Sequence, residues 1–432
     1  AVLDLVKAQQ PDLLANAQLP LDVTALTGVV EAGLVATVHL PDEATARDMS
    51  FDYVLNGTVA DFASTKPIED RSISNGQLTF SASQQGYQLG GTAEIDGVDA
   101  QIEVAGTQAG DPAIRLSSTM TVAEVAKLGF DASTFVSGSV RFLAQPQADG
   151  SIVMALDLTD AALDLTDLGI TKAVGTSGTL SATIRQDDQL FRVTDIDLAF
   201  GTVRAQGDVD FHATKGLLSA KLNQLALSEG DSAQVELRTL DDGFAVNVRG
   251  TQLDFKPMLK RIFDLNGGTG GVQATKTSEA ISLNIKLDRA LGFYATTAFN
   301  LDLAMQLKGS DLRKASVAGQ FSDGNAISVT TNPAPKGHTL SVAFNDAGTI
   351  LRFLGVYSQL AGGAGNLVLT TDRDLAYETG QLKMRDFAIV DEANVIEVLG
   401  NHADSRKAIS AQNRLDFDVA EVDFLRRPDR VE

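Results

Sequence analysis

Strict alternation of apolar and polar residues runs through this chain and limits what it can fold into. Ile281, Leu283, Ile285 and Leu287 alternate with Ser282, Asn284, Lys286 and Asp288; Phe299, Leu301, Leu303, Met305 and Leu307 alternate with Asn300, Asp302, Ala304, Gln306 and Lys308. Ile152, Met154, Leu156 and Leu158 repeat the pattern, as do Leu180, Ala182 and Ile184, and then Val203, Ala205, Val209 and Phe211. Period two puts the two sets on opposite faces of a half-buried strand. Turn signals are closely spaced, at Asn75-Gly76, Asp149-Gly150, Asp187-Asp188, Asp242-Gly243 and Asp323-Gly324, which implies antiparallel hairpins in series. At this spacing the chain supplies about 25 to 30 strands. Open twisted sheets of more than roughly ten strands curl, split or flatten. A membrane barrel needs aromatic girdles, and the chain has 20 Phe, 5 Tyr and no Trp. The expected fold is therefore mainly all-β: an elongated, twisted antiparallel sheet curled into a groove, apolar face inward, with a few short capping helices.

Those helices are legible from their caps. Thr121 to Leu128 begins with Thr and carries Glu124 at the capping-box spacing. Asp254 to Leu265 has Pro257 in its first turn, where proline is tolerated. Asp346 to Leu360 and Asp391 to Leu399 both open on Asp with apolar residues at helical spacing. Two segments read as boundaries, the glycine cluster Asn266 to Gly271 and the proline-bearing Asn332 to Gly337. The better division falls near 265, giving regions 1–265 and 266–432. A looser motif of glycine-led strands recurs at Gly138, Gly178, Gly207 and Gly380.

With 56 acidic against 35 basic residues and a net charge of -21, the chain lacks the basic footprint that nucleic acid requires. There is no cysteine, so disulfides and thiolate chemistry are excluded. His39, His212, His338 and His402 are far apart in sequence and show no metal-ligand spacing. The glycine cluster lacks the lysine of a phosphate loop and reads as a connector. The acidic pairs Asp187-Asp188, Asp241-Asp242 and Asp195/Asp197 sit at turns or on polar strand faces. No catalytic constellation emerges, and the expectation is a non-enzyme with no cofactor and no metal. Nothing in the pattern offers a layer of amphipathic helices wide enough to cover the apolar faces, and acyl chains are natural occupants of such a surface, each buried methylene being worth about 0.8 kcal/mol.

Four passages carry a family resemblance: FDYVLNGTVADFASTKPIEDRSISNGQLTF over 51–80, LDLTDAALDLTDLGITKAVGTSGTL over 156–180, Asp346 to Leu360 followed by Gly362-Gly363, and GQLKMRDFAIVDEANVIEVL over 380–399. In this order the chain resembles the AsmA-like group of bacterial envelope proteins, in particular the large YhdP-type members with a central domain and an AsmA-like C-terminal region. The resemblance implies a β-groove that conducts phospholipids between inner and outer membranes, a periplasmic location, and a membrane helix N-terminal to this stretch that anchors the whole protein to the inner membrane. It also implies further chain after Glu432 and end partners in the periplasm or outer membrane. Expected groove-lining residues are Ile152, Met154, Leu156, Leu158, Leu180, Ile184, Ile281, Leu283, Ile285, Leu287, Phe299, Leu301, Leu303, Met305 and Leu307. The alternatives are an elongated β scaffold or adhesin that holds nothing, and a carbohydrate-active enzyme, for which aromatic residues are too few.

Overall fold

In the computed structural model the described residues are 25–39, 50–66, 71–107, 110–127, 133–165, 170–263, 280–308, 311–321, 324–334, 336–372, 377–392 and 413–426. They form mainly antiparallel β-sheet with three short helices, the fold class that the alternation predicts. The chain divides into two compact units, 1–162 and 163–432.

Unit 1 is a meander in which each strand pairs with the next: β1 (Leu26–His39), β2 (Ser50–Ser64), β3 (Ile73–Ser83), β4 (Gly86–Ile95), β5 (Val98–Gly106), β6 (Ala113–Thr121), β7 (Val136–Pro146) and β8 (Ile152–Asp157). One helix, α1 (Val122–Lys127), follows β6. Its capping box is complete: the Thr121 backbone N–H donates to Glu124 Oε2 at 2.7 Å and the Glu124 N–H donates to Thr121 Oγ1 at 3.3 Å. These bonds satisfy two of the donors that a helix start leaves unpaired.

Unit 2 begins with β9 (Ala161–Leu165), which starts at the unit boundary, and β10 (Ile170–Lys172), a short pair. A second meander then runs through β11 (Gly178–Asp187), β12 (Leu190–Phe200), β13 (Val203–His212), β14 (Gly216–Ala226), β15 (Ser232–Leu240) and β16 (Gly243–Asp254). After α2 (Lys256–Phe263) come β17 (Ala280–Leu291), β18 (Thr297–Lys308), β19 (Asp311–Phe321), β20 (Ala326–Ala334) and β21 (Gly337–Phe344). Then α3 (Ala347–Leu354) precedes β22 (Leu360–Asp372), β23 (Glu378–Val390) and β24 (Arg414–Arg426). All pairs from β11 to β24 are antiparallel except β16–β17, which is parallel.

The position near 265 and the glycine cluster 266–271 lie outside the described residues, between β16 and β17 of unit 2. Asn332 to Gly337 is the hairpin end of β20 and β21, with Pro333 opposite His338. The helix expected over Asp346 to Leu360 stops at Leu354, because Gly355 turns left-handed (φ 74) and sends its N–H back to Arg352 O, the αL termination that glycine favours. Residues 393–399 of the fourth expected helix lie outside the described residues.

One turn expectation needs correction. Asn75-Gly76 is not a hairpin turn; it lies inside β3, where Asn75 is left-handed (φ 53) and the register with β4 shifts between Ser74 and Gln77. Asp61, Asp195 and Asn300 do the same at register shifts in β2, β12 and β18. Short Asx side chains tolerate the αL conformation, and each such bulge adds local twist.

Candidate functional site

The pairing register turns the alternation into rows that cross unit 2. One row is Gly207, Leu222, Val235, Val248, Ile285, Leu303, Val317, Val329, Val342, Leu367, Leu382 and Val422, each opposite the next. It contains no polar side chain from β13 to β24. With strands about 4.8 Å apart, this is an apolar track of roughly 50 Å perpendicular to the strands. A flanking row holds Leu180, Leu198, Ala205, Leu225, Ala233, Gly250, Leu287 and Leu301. On the other side run Ile184, Val193, Val209, Ala220, Leu237, Val246, Leu283, Met305 and Ala315. Thr331, beside Ala315, has its hydroxyl occupied: it accepts from Ala315 N at 2.8 Å and donates to Ala315 O at 3.2 Å.

The opposite face is charged and exposed. Lys286 pairs with Asp302 at 2.9 Å and Lys383 with Glu421 at 3.5 Å. Asn284 donates to Asn247 at 3.1 Å and Gln381 to Asp423 at 3.0 Å. Exposed pairs of this kind contribute little stability, but they fix which face meets water.

Cover on the apolar face is uneven along the strands. In β17, Ile281 is 39% exposed, Leu283 is half-buried, and Ile285 and Leu287 fall to 4% and 3%. The buried end is where α2 and α3 pack against each other. There Leu253, Phe255, Leu259 and Phe353 join Ile285, Leu287, Ala290, Ala298, Leu301 and Phe321 in one core, with Phe321 and Phe353 edge-to-face at 5.6 Å. Beside it Ala347, Leu360 and Phe387 form a second cluster, in which Phe387 stacks on Phe417 at 4.8 Å. Among the described residues no large side chain is completely buried. Among the described residues the helices seal one end of the strands, and no second layer covers the remainder of the apolar face.

Unit 1 repeats the rows on a smaller scale. Val59, Leu78, Gly91, Ile102, Leu116, Ala144 and Met154 stand in one, and Ser118, Phe142 and Leu156 in another. Met120, Val122, Val140 and Leu158 are buried near α1, whereas Ile152 at the other end of β8 is exposed. The unit also has a hollow of about 1260 Å³, lined chiefly by the polar rows through Thr58, Thr79, Glu103 and Arg115.

Of the fifteen residues expected from sequence, Leu180, Ile184, Leu283, Ile285, Leu287, Leu301, Leu303 and Met305 lie in the three adjacent rows of unit 2. Ile281 and Leu307 face each other in the next row outward. Ile152, Met154 and Leu156 lie on the corresponding face of unit 1, and Leu158 is in its core. Phe299 does not follow Leu301. The left-handed Asn300 (φ 51) breaks the phase, so Ala298 enters the core while Phe299 stands opposite Arg289 and Gln320.

Two polar groups were not singled out by sequence. Asp231 and Asp254 are buried together where β14, β15, β16 and α2 meet. Asp231 accepts from Leu227 N (3.1 Å), Ser228 N (2.9 Å) and Asp254 N (2.9 Å). Asp254 accepts from Lys256 N at 2.9 Å and pairs with Lys256 Nζ at 3.2 Å. Burial raises the Asp231 pKa, aided by the charge on Asp254 and opposed by the three backbone donors. The second group, His338, Thr371 and Glu378, lies across β21, β22 and β23. Thr371 Oγ1 donates to Glu378 Oε1 at 2.9 Å and lies 3.5 Å from His338 Nε2.

Elsewhere, His39 contacts Asp52 at 2.7 Å and His212 Nδ1 accepts from Thr214 N at 3.2 Å; His402 lies outside the described residues. Among the described residues, no three His, Asp or Glu converge as metal ligands, and no helix is long and apolar enough to cross a membrane. No family model, curated protein or solved structure matches the chain.

Proposed function

We propose that the chain is part of a bridge-like lipid transfer protein of the AsmA-like, YhdP type, which takes up phospholipid acyl chains on its apolar sheet face and conducts them along the rows. The observation that carries this reading is the unbroken apolar row from Gly207 to Val422, which among the described residues has no second layer outside the core that takes in Val248 and Ile285. Half-buried apolar side chains over this extent leave apolar surface that calls for a partner. Acyl chains suit it because each methylene taken from water contributes about 0.8 kcal/mol. A track with no polar side chain leaves a tail without fixed stopping points, so sliding meets low barriers. In this reading the protein acts without catalysis or a cofactor, in the periplasm between inner and outer membranes, and supports outer-membrane biogenesis. Its partners are phospholipids, the inner membrane and proteins at the outer end.

The test is transfer of a fluorescent phospholipid between two vesicle populations. The proposal expects the chain to extract and deliver the tracer, and expects Leu303→Asp, in the middle of the row, to stop it while the circular dichroism spectrum stays that of the parent. A chain that extracts no tracer favours the scaffold reading.

A further inference from the structure

The apolar face of unit 2 has two chemically different ends. At one, α2 and α3 close the strands with Leu287, Leu301, Phe321 and Phe353. At the other, the side chains on the same face become polar on β21, β22 and β23, whereas β17 and β18 end there in Ile281 and Leu307. His338 follows Leu340 and Val342 by alternation, Thr371 follows Leu369 and Leu367, and Glu378 precedes Gly380 and Leu382. The register aligns His338, Thr371 and Glu378 as one row, and their hydrogen bonds confirm the shared face. All three are half-buried.

We infer that a phospholipid on this face has a fixed polarity along the strands, its tail ends toward the α2–α3 plug and its head at the His338–Thr371–Glu378 row. This inference rests on the proposed function and adds orientation and a headgroup site to it. Polar side chains here extend the surface on which a head can remain hydrogen-bonded, whereas a head moved toward Leu287 and Phe353 loses water without gaining partners. A phosphodiester accepts from the His338 ring, while the Thr371 hydroxyl, whose proton goes to Glu378, holds that carboxylate in the row. The Glu378 carboxylate disfavours a purely anionic head and suits one that also carries an ammonium, which donates to it. The plug also limits how deep a tail can reach.

The test is photocrosslinking of the full chain with two phospholipid probes, one bearing a diazirine at the tail terminus and one bearing it on the head, with labelled residues mapped by mass spectrometry. The tail probe is expected at Leu287, Leu301 and their neighbours, and the head probe at His338 and Thr371. His338→Leu should reduce head labelling about fivefold, the equivalent of one ordinary hydrogen bond, and leave tail labelling in place. Thr371→Ser, which keeps the hydroxyl, should retain the head label. Vesicles of phosphatidylethanolamine should compete for the head label better than vesicles of phosphatidylglycerol, and equal competition would overturn the ammonium assignment. Both probes labelling both ends alike would overturn the polarity while leaving lipid binding intact. No labelling anywhere would remove the parent reading and the inference together.

Discussion

Units 1 and 2 share one alternation and differ in what covers it. In unit 2 two eight-residue helices, α2 and α3, lock one end of the apolar face into a core that includes Phe321, Phe353 and Leu287. Among the described residues of unit 1, the six of α1 stand at the corresponding place. Its outer strand β1 carries Val29, Val30, Leu34 and Val35 exposed on both faces. At the far edge of the described residues of unit 2, β24 sets Asp416, Asp418, Glu421 and Asp423 beside its own exposed Val419 and Val422, charges of the kind that protect an edge from unwanted pairing. Periodicity specifies a face, and short helices at strand ends decide how much of that face becomes core.

Substitution by Asp at the two kinds of position sharpens the contrast most. Leu287→Asp places an unpaired charge in the sealed end and should unfold unit 2, seen as loss of its cooperative transition in urea, because an uncompensated buried charge is among the costliest changes. The same change at Leu303 falls on the half-buried track, where the chain should fold and lose lipid loading. If both variants unfold alike, the track is ordinary core.

Phe353→Ala removes the ring that packs edge-to-face on Phe321. It should cost about 3–5 kcal/mol, lowering the urea midpoint of unit 2 and leaving unit 1 where it was. Asp346→Ala removes the acceptor for Thr349 N (2.9 Å) and for Asn325 Nδ2 (2.9 Å). The lost cap should cost about 1–2 kcal/mol, read in the same titration. A matching drop in unit 1 would show that the two units do not melt separately.

The smallest effects are those of pH, and they have opposite signs in the two units. In unit 1, hydrogen bonds from Arg71 and Ser72 lower the Asp96 pKa and those from Thr121 lower that of Glu124. Their contributions hold above the ordinary carboxylate range and are lost as pH falls through the lowered values. In unit 2, Asp231 has its pKa raised by burial, so its contribution is fullest at low pH and fades as pH rises through the raised value. Relative to Asp96→Asn the parent should lose advantage on acidification, and relative to Asp231→Asn it should gain. Urea midpoints across the acidic range check both signs.

Strand identity, most turns and the caps of α1 and α3 were legible in the sequence because each is a local signal. The apolar row was legible only strand by strand. That Gly207 to Val422 form a single track depends on register, which is fixed by pairing between residues far apart in sequence. Phe299 shows where alternation fails: the bulge at Asn300 inserts an extra residue in the phase, and Asx at a polar position looks like any other outward residue. Asn75-Gly76 reads as a hairpin signal for the same reason, since the αL conformation of a type I′ turn also serves a bulge. The Asp231–Asp254 pair and the His338–Thr371–Glu378 row are tertiary constellations, assembled from separate strands and carrying no spacing signature.

The most direct test of the central claim is native mass spectrometry of the purified chain, followed by extraction and identification of whatever it carries. The account predicts several phospholipids per chain, lost in Leu303→Asp. A chain that is free of lipid, and stays free after incubation with vesicles containing a fluorescent phospholipid, would contradict it.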